Sequence, residues 1–291
     1  MKIRAPAKIN LGLRIVGKRQ DGYHLLDTIM VPVSLYDEIH ITRAKAKQIK
    51  EGRDGRQCLS VVCSDSSVPS GRGNLVYRAA ELIMSRSQVR AAIDIRVEKN
   101  IPVGAGLGGG SSDAAATLIG LNRFLELGYS VEQLKEFGKA LGADVPFFVG
   151  GTPARARGIG ERLSPLGALP RIWAVIVYPG FPVTTAWVYR NFQATLTKPI
   201  ANTSISSLLK KPFGQMRLLV NDLETVTLVR YPRIGLLKQK LFEEGAAGAL
   251  MSGSGSAVFG LFDSRGKAAR AFSRLLKEEG VETFLVRLLS S

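Results

Sequence analysis

The first 65 residues of the chain read as strands. Ile9, Leu11, Leu13 and Ile15 alternate with other residues, the period of a strand with one face buried. Ile93, Ile95 and Val97 repeat the pattern, and Leu59–Cys63 reads as a short strand after an Asp54-Gly55 turn. Helical spacing is expected from Asn74, a capping residue type, to about Ser87. It is clearest after Ser111, where Ala114, Leu118, Leu121 and Leu125 follow one another at steps of four, three and four. A second helix is expected from Ser130, which forms a capping-box pattern with Gln133, to an end at Gly142. The Gly/Pro-rich stretch from Gly150 to Pro170 reads as a boundary zone. Beyond it come strands at Ile172–Tyr178, Ala257–Phe262 and Thr283–Val286. Helices are expected near Ile205–Leu209, Gln215–Leu228, Ile234–Glu244 and Gly266–Glu279. Strands and helices mix without strict alternation, which favours α+β over a parallel α/β sheet. The expected division is 1–155 and 156–291.

Composition narrows the classes. With 291 residues, 45% of them apolar and 22% charged, the chain can bury a sizeable core without disulfide or metal staples. Cys58 and Cys63 are five apart, which on a strand points them to opposite faces, and neither fits a zinc spacing; a reduced, cytoplasmic setting is expected. The longest apolar run, Ile172 to Tyr178, is far shorter than the roughly 20 residues of a membrane helix. No signal peptide is expected from MKIRAPAKIN, which has no unbroken apolar core behind it. His24 and His40 are the only histidines, which excludes zinc-hydrolase motifs, the H-R-D loop of protein kinases and multi-histidine metal sites.

The net charge of +16 is spread over both halves: 21 basic and 15 acidic residues through Gly150, then 19 and 9. A nucleic-acid binder would cluster its cations, and no such block occurs. A basic surface also attracts small anions. Nucleic acid is therefore the lesser reading.

Residues 102–113, P-V-G-A-G-L-G-G-G-S-S-D, hold five glycines: Gly104, Gly106, Gly108, Gly109 and Gly110. Glycine lets backbone amides converge on a ligand. A helix opening at Ser111 and Ser112 adds free N–H groups and a positive dipole end, so a phosphate cradle is expected rather than a linker. A Walker A loop needs a closing lysine, and none occurs from Pro102 to Asn122. Gly104, Gly106 and Gly109 match the dinucleotide spacing. However, the acid at the right distance, Glu126, is expected inside a helix, and a second helix rather than a strand follows.

The loop, running on into Ala114 and Ala115, resembles the nucleotide-binding motif of the GHMP kinases. Residues 5–13, A-P-A-K-I-N-L-G-L, resemble the first motif of that family, and Met251–Ser256 resembles the third. The Lys8–Leu11 segment, Asp21-Gly22-Tyr23-His24 and Gly142-Ala143-Asp144-Val145-Pro146 are together most similar to a branch that acts in non-mevalonate isoprenoid synthesis. That branch phosphorylates a 2-hydroxyl on an acceptor carrying a cytidyl diphosphate. The resemblance implies a two-domain α+β fold: an N-terminal domain like one of a ribosomal protein, and a ferredoxin-like C-terminal domain contributing to the substrate cleft. It also implies ATP and Mg²⁺ as cofactors and a small-molecule partner, with no membrane.

The resemblance further implies residue roles. Asp144 takes the proton of the acceptor hydroxyl, and Lys8, within hydrogen-bond reach of it, stabilises charge on the transferring phosphoryl. Asn74, Lys99, Pro102, Val103, Gly104, Ala105, Gly106, Leu107, Gly108, Gly109, Gly110, Ser111 and Ser112 hold ATP. Asn10, two residues from Lys8 and so on its face of the strand, lines the acceptor site. Tyr23, His24 and Tyr189 read the cytosine, whose flat face stacks and whose edge hydrogen-bonds. Thr185 touches the acceptor, and the turn Ser252, Gly253, Ser254 and Gly255 forms a second backbone nest. Metal ligands stay unassigned. The alternatives are another GHMP small-molecule kinase, a basic RNA-binding protein and, more distantly, a dinucleotide oxidoreductase.

Overall fold

A computed structural model describes residues 1–44, 59–87, 89, 91–193, 197–200 and 219–290. Two compact units divide these residues. The first holds Met1–Ala7, Tyr36–Val103 and Gly109–Gly150; the second holds Lys8–Leu35, Gly104–Gly108 and Gly151–Ser291. Two long strands, β1 (Lys2–Lys18) and β2 (His24–Arg43), contribute residues to each.

In the first unit the end of β2 pairs antiparallel with β4 (Ile93–Glu98), Glu38 opposite Glu98 and Arg43 opposite Ile93. β3 (Leu59–Cys63) runs parallel to β4. Four helices accompany them: α1 (Leu75–Ser87), α2 (Gly109–Phe124), α3 (Val131–Lys139) and α4 (Val145–Gly150). Helix α2 lies close on the strands at Gly120, where a Cβ would come within 2.2 Å of the Ile3 side chain. The capping residues act as their types predict. Asn74 Oδ1 accepts from the Val76 amide at 2.8 Å, and Ser130 with Gln133 closes a full capping box at the start of α3. Each such cap stabilises by about 1 kcal/mol.

In the second unit the start of β2 pairs with β5 (Ala154–Gly158), and β5 with β6 (Arg162–Pro165). A four-stranded antiparallel sheet takes the order β10 (Glu282–Arg287), β7 (Trp173–Tyr178), β9 (Val258–Phe262), β8 (Gly248–Met251). Helices α5 (Thr185–Asn191), α6 (Glu224–Arg230) and α7 (Pro232–Glu243) join β7 to β8, and α8 (Arg265–Leu275) joins β9 to β10. This is the βαββαβ path of a ferredoxin-like domain. Its core gathers Val175, Val177, Ile234, Leu237, Leu241, Ala268 and Ala271 with Leu13 and Ile15 of β1.

Several expectations need correction. The stretch from Gly150 to Pro170 is not a bare boundary zone, because β5 and β6 lie in it; Ala154 and Ala156 are too small to have signalled a strand. β8 also went unread, since Gly248–Met251 is too short to show a period. Glu126 lies past the end of α2 in a left-handed conformation (φ 53°), not within the helix, although α3 still follows it. Gly142 follows α3 without a positive φ; its amide bonds to the Gly138 carbonyl at 3.1 Å. The described part of the expected Gln215–Leu228 helix becomes helical only at Glu224. The Asp54-Gly55 turn, Cys58 and the Ile205–Leu209 helix lie outside the described residues. Cys63 is a free thiol, and burial pushes it above the usual cysteine range.

Candidate active site

The expected site residues are placed in both units. In the second, β1 sets Lys8 and Asn10 on one face, as their spacing requires, and both are buried although both are polar. The Lys8 ammonium donates to Asn10 Oδ1 at 2.5 Å and to the Gly106 carbonyl at 2.9 Å. The Ser252 hydroxyl donates to the same carbonyl at 2.9 Å. Gly253 sits with φ +55°, and a Cβ there would stand 3.3 Å from Lys8 Nζ and 3.5 Å from Asn10 Oδ1. Thus residues 98 and more positions apart in sequence meet around one cation.

Gly106 shows why this loop is written in glycine. Its φ of +78° disfavours any side chain, and a Cβ would lie 2.1 Å from the Ser252 carbonyl oxygen. Gly104 and Gly108 share the left-handed conformation, so it recurs at alternate positions, the pattern that turns amides inward to form an anion nest. The intervening Ala105 and Leu107 are buried. They tie the loop down through their carbonyls, to the Ala257 amide at 3.0 Å and the Lys8 amide at 2.9 Å.

The turn of the third motif is held by a residue that sequence reading missed. Asn221 Nδ2 donates to the carbonyls of Met251 (2.9 Å) and Gly253 (2.7 Å); nothing in the local sequence marks it, because its partners lie 30 and 32 residues away. Ser254 Oγ lies 2.8 Å from Thr185 Oγ1 at the start of α5. One turn further along α5, Tyr189 stacks on His24, with ring centroids 5.5 Å apart and planes 29° apart. Phe192, not foreseen, meets His24 edge-on. Burial, and then Lys18, lowers the His24 pKa and so favours a neutral imidazole, which can both donate and accept at a base edge. Tyr23 is 61% exposed in the preceding turn.

In the first unit α2 begins at Gly109, its first amides without helical partners. Ser112 Oγ is buried there and makes no hydrogen bond, nor does Asp113 Oδ1. Free amides and an unsatisfied hydroxyl in the first turn of a helix suit the oxygens of a phosphate. Gly110 and Val103 are exposed, while Pro102, Gly109 and Ser111 are half-buried. Lys99 is nearly buried and carries two ion pairs, to Asp37 and to Asp113. Asn74 uses its side-chain oxygen to cap α1. Asp144 stands in the turn just before α4, half-buried, and its carbonyl accepts from the Phe148 amide at 3.4 Å.

Among the described residues, Glu38, His40 and Glu98 form a cluster with metal-ligand atoms within 4.8 Å of one another. Lys2 already pairs with Glu38 at 2.7 Å, and none of the expected site residues belongs to the cluster. No helix among the described residues is long and apolar enough to cross a membrane.

Comparison with known proteins bears on all of this. Residues 74–152 match the GHMP kinases N terminal domain and residues 204–282 the GHMP kinases C terminal domain. The 4-diphosphocytidyl-2-C-methyl-D-erythritol kinase of Citrifermentans bemidjiense is 47% identical over 99% of both chains. That of Syntrophotalea carbinolica is 48% identical over 97% of this chain and 96% of its own. A crystal structure of 4-(cytidine 5'-diphospho)-2C-methyl-D-erythritol kinase superposes with a TM-score of 0.85 at 36% identity, covering both chains fully. Homoserine kinase from Cytophaga hutchinsonii, 20% identical with a TM-score of 0.71 over 100% of this chain and 94% of its own, shares the fold.

Proposed function

The chain belongs to the GHMP kinases, and within them to the 4-diphosphocytidyl-2-C-methyl-D-erythritol kinases; on that premise we propose that it transfers the γ-phosphoryl of ATP to the 2-hydroxyl of that cytidyl substrate. The observation that carries the chemistry is the meeting of Lys8, Asn10, the Gly106 carbonyl and Gly253 around one buried ammonium. Three segments far apart in sequence have no structural need to converge on a lysine. A phosphoryl acceptor site has that need, because charge on the transferring group must be met by a fixed cation.

In this reading the backbone amides of the loop from Pro102 to Ser112 receive the phosphates of ATP, with Asn74 and Lys99 on the nucleotide side. Mg²⁺, when bound, neutralises charge on the β- and γ-phosphates; its ligands on this chain are not assigned. Asp144 accepts the proton of the attacking hydroxyl, and Lys8 steadies the phosphoryl as it moves. His24, stacked on Tyr189, reads the cytosine edge, with Tyr23 closing on the base. Thr185 and Ser254, already hydrogen-bonded to each other, line the acceptor with Asn10, Gly253 and Gly255.

ATP consumption measured across cytidyl, homoserine, galactose and mevalonate acceptors tests the proposal. Turnover is expected with the cytidyl acceptor alone, with phosphorus NMR placing the new phosphate on its 2-hydroxyl. Turnover confined to another alcohol would reassign the chain to another kinase of the same fold. Salt-sensitive RNA binding without turnover on any acceptor would remove the kinase reading.

A further inference from the structure

Thr28 lies on β2, and sequence alone offers it as one more β-branched strand residue. In the structure it is 2% exposed and its hydroxyl is committed twice. Thr28 Oγ1 lies 2.7 Å from the Gly12 carbonyl oxygen, which can only accept, so the hydroxyl donates there. The lone pair that remains on Oγ1 accepts from Asn10 Nδ2 at 2.8 Å. The Asn10 amide is therefore fixed with its oxygen on the other side, where it accepts from the Lys8 ammonium. An ammonium can only donate, so both ends of this chain of bonds have a fixed direction. Gly12 carbonyl, Thr28 hydroxyl, Asn10 amide and Lys8 ammonium form one buried polar relay, in which no link can reverse without placing two donors face to face.

We infer that Thr28 is a positioning residue for phosphoryl transfer, holding Lys8 in place by fixing the orientation of the Asn10 amide. The inference rests on the proposed role of Lys8. Without the Thr28 hydroxyl, Asn10 Nδ2 loses its buried acceptor, and the amide is free to swing toward another one and draw Oδ1 away from the Lys8 ammonium. The ammonium then shifts, and displacement of a catalytic group by about 1 Å costs on the order of 10²-fold in rate. When the ammonium shifts, the nucleotide loop keeps its backbone tethers at Ala105 and Leu107 and the Ser252 hydroxyl on the Gly106 carbonyl, so the KM for ATP is expected to change little.

The test replaces Thr28 by valine, which keeps the shape and removes the hydroxyl, and by serine, which keeps the hydroxyl. Thr28→Val is expected to lower kcat by about 10- to 100-fold with the KM for ATP within about twofold, and Thr28→Ser to stay within about threefold of the parent. In an Asn10→Ala background the effect of Thr28→Val should largely vanish, because the two residues act in series. Multiplying effects in the double variant, or equal losses in Thr28→Val and Thr28→Ser, would overturn the inference. If valine impairs folding, seen as a lowered urea midpoint, Thr28→Ala takes its place in the same cycle. Lys8→Ala separates the two levels: full turnover there sinks the role of Lys8 itself, whereas loss there with normal turnover in Thr28→Val sinks only the relay.

Discussion

Lys99 Nζ stands 2.7 Å from Asp113 Oδ2, with the two side chains only 6% and 5% exposed. The same ammonium pairs with Asp37, which is wholly buried. Asp37 also accepts from the amides of Asn100 at 2.6 Å and Ile101 at 2.8 Å. One cation thus joins the segment entering the glycine loop to the first turns of the helix leaving it. Two carboxylates share it, and they are not equivalent: Asp37 is fully bonded, while Asp113 Oδ1 has no partner.

This asymmetry predicts different costs. Asp37→Asn breaks a buried charged network and should lower stability by about 3–5 kcal/mol. Asp113→Asn removes the surplus negative charge and should cost less than about 1 kcal/mol. Urea unfolding of both variants checks the order; equal losses would contradict it.

The same residue gives a pH dependence. Burial pushes the Asp113 carboxyl up to about 7, with Lys99 opposing and Asp37 adding to the rise. The folded chain then holds this proton more tightly than the unfolded chain. The contribution of Asp113 to stability therefore falls as pH rises from about 4 toward about 7. In Asp113→Asn that part of the slope should disappear, as urea midpoints across this range will show.

For the proposed chemistry, Asp144→Ala and Lys8→Ala should each lower kcat by at least about 10²-fold, the lower end for a positioned proton-transfer group. Near-parental turnover in either variant, by coupled assay, would remove that residue from its role.

His24 should make acceptor binding sensitive to acid. Its pKa is lowered by burial and by Lys18, so the neutral form prevails at neutral pH and is lost only below the usual histidine range. Calorimetry should find affinity for the cytidyl acceptor level above about pH 6.5 and falling below it. His24→Gln should bind more weakly and lose that fall, while Tyr189→Ala should weaken the acceptor and leave ATP unaffected.

The glycine loop offers a contrast within a few residues. Gly106→Ala should abolish turnover, since its Cβ would meet the Ser252 carbonyl at 2.1 Å and its φ is positive. Gly110→Ala places its Cβ 3.6 Å from Leu75 in an ordinary helical position and should retain activity.

Read in order, the sequence already carried what depends on neighbours along the chain. The alternation of β1 and β4, the Ser130 capping box, the helix after the glycines and the glycines themselves are set by local sterics and local hydrogen bonds. Such features leave a periodic or compositional mark. The placing of Lys8 and Asn10 on one strand face was legible for the same reason.

What only the tertiary structure decided is whatever pairs residues distant in sequence. Nothing beside Thr28, Asn221 or Asp37 in the chain distinguishes them from an ordinary strand threonine, a loop asparagine and a surface acid. Each acquires its meaning from a carbonyl, an amide or an ammonium brought up from elsewhere. A buried polar group must find its partner wherever the fold supplies one. That requirement is met in space, and the order of residues along the chain bears no trace of it.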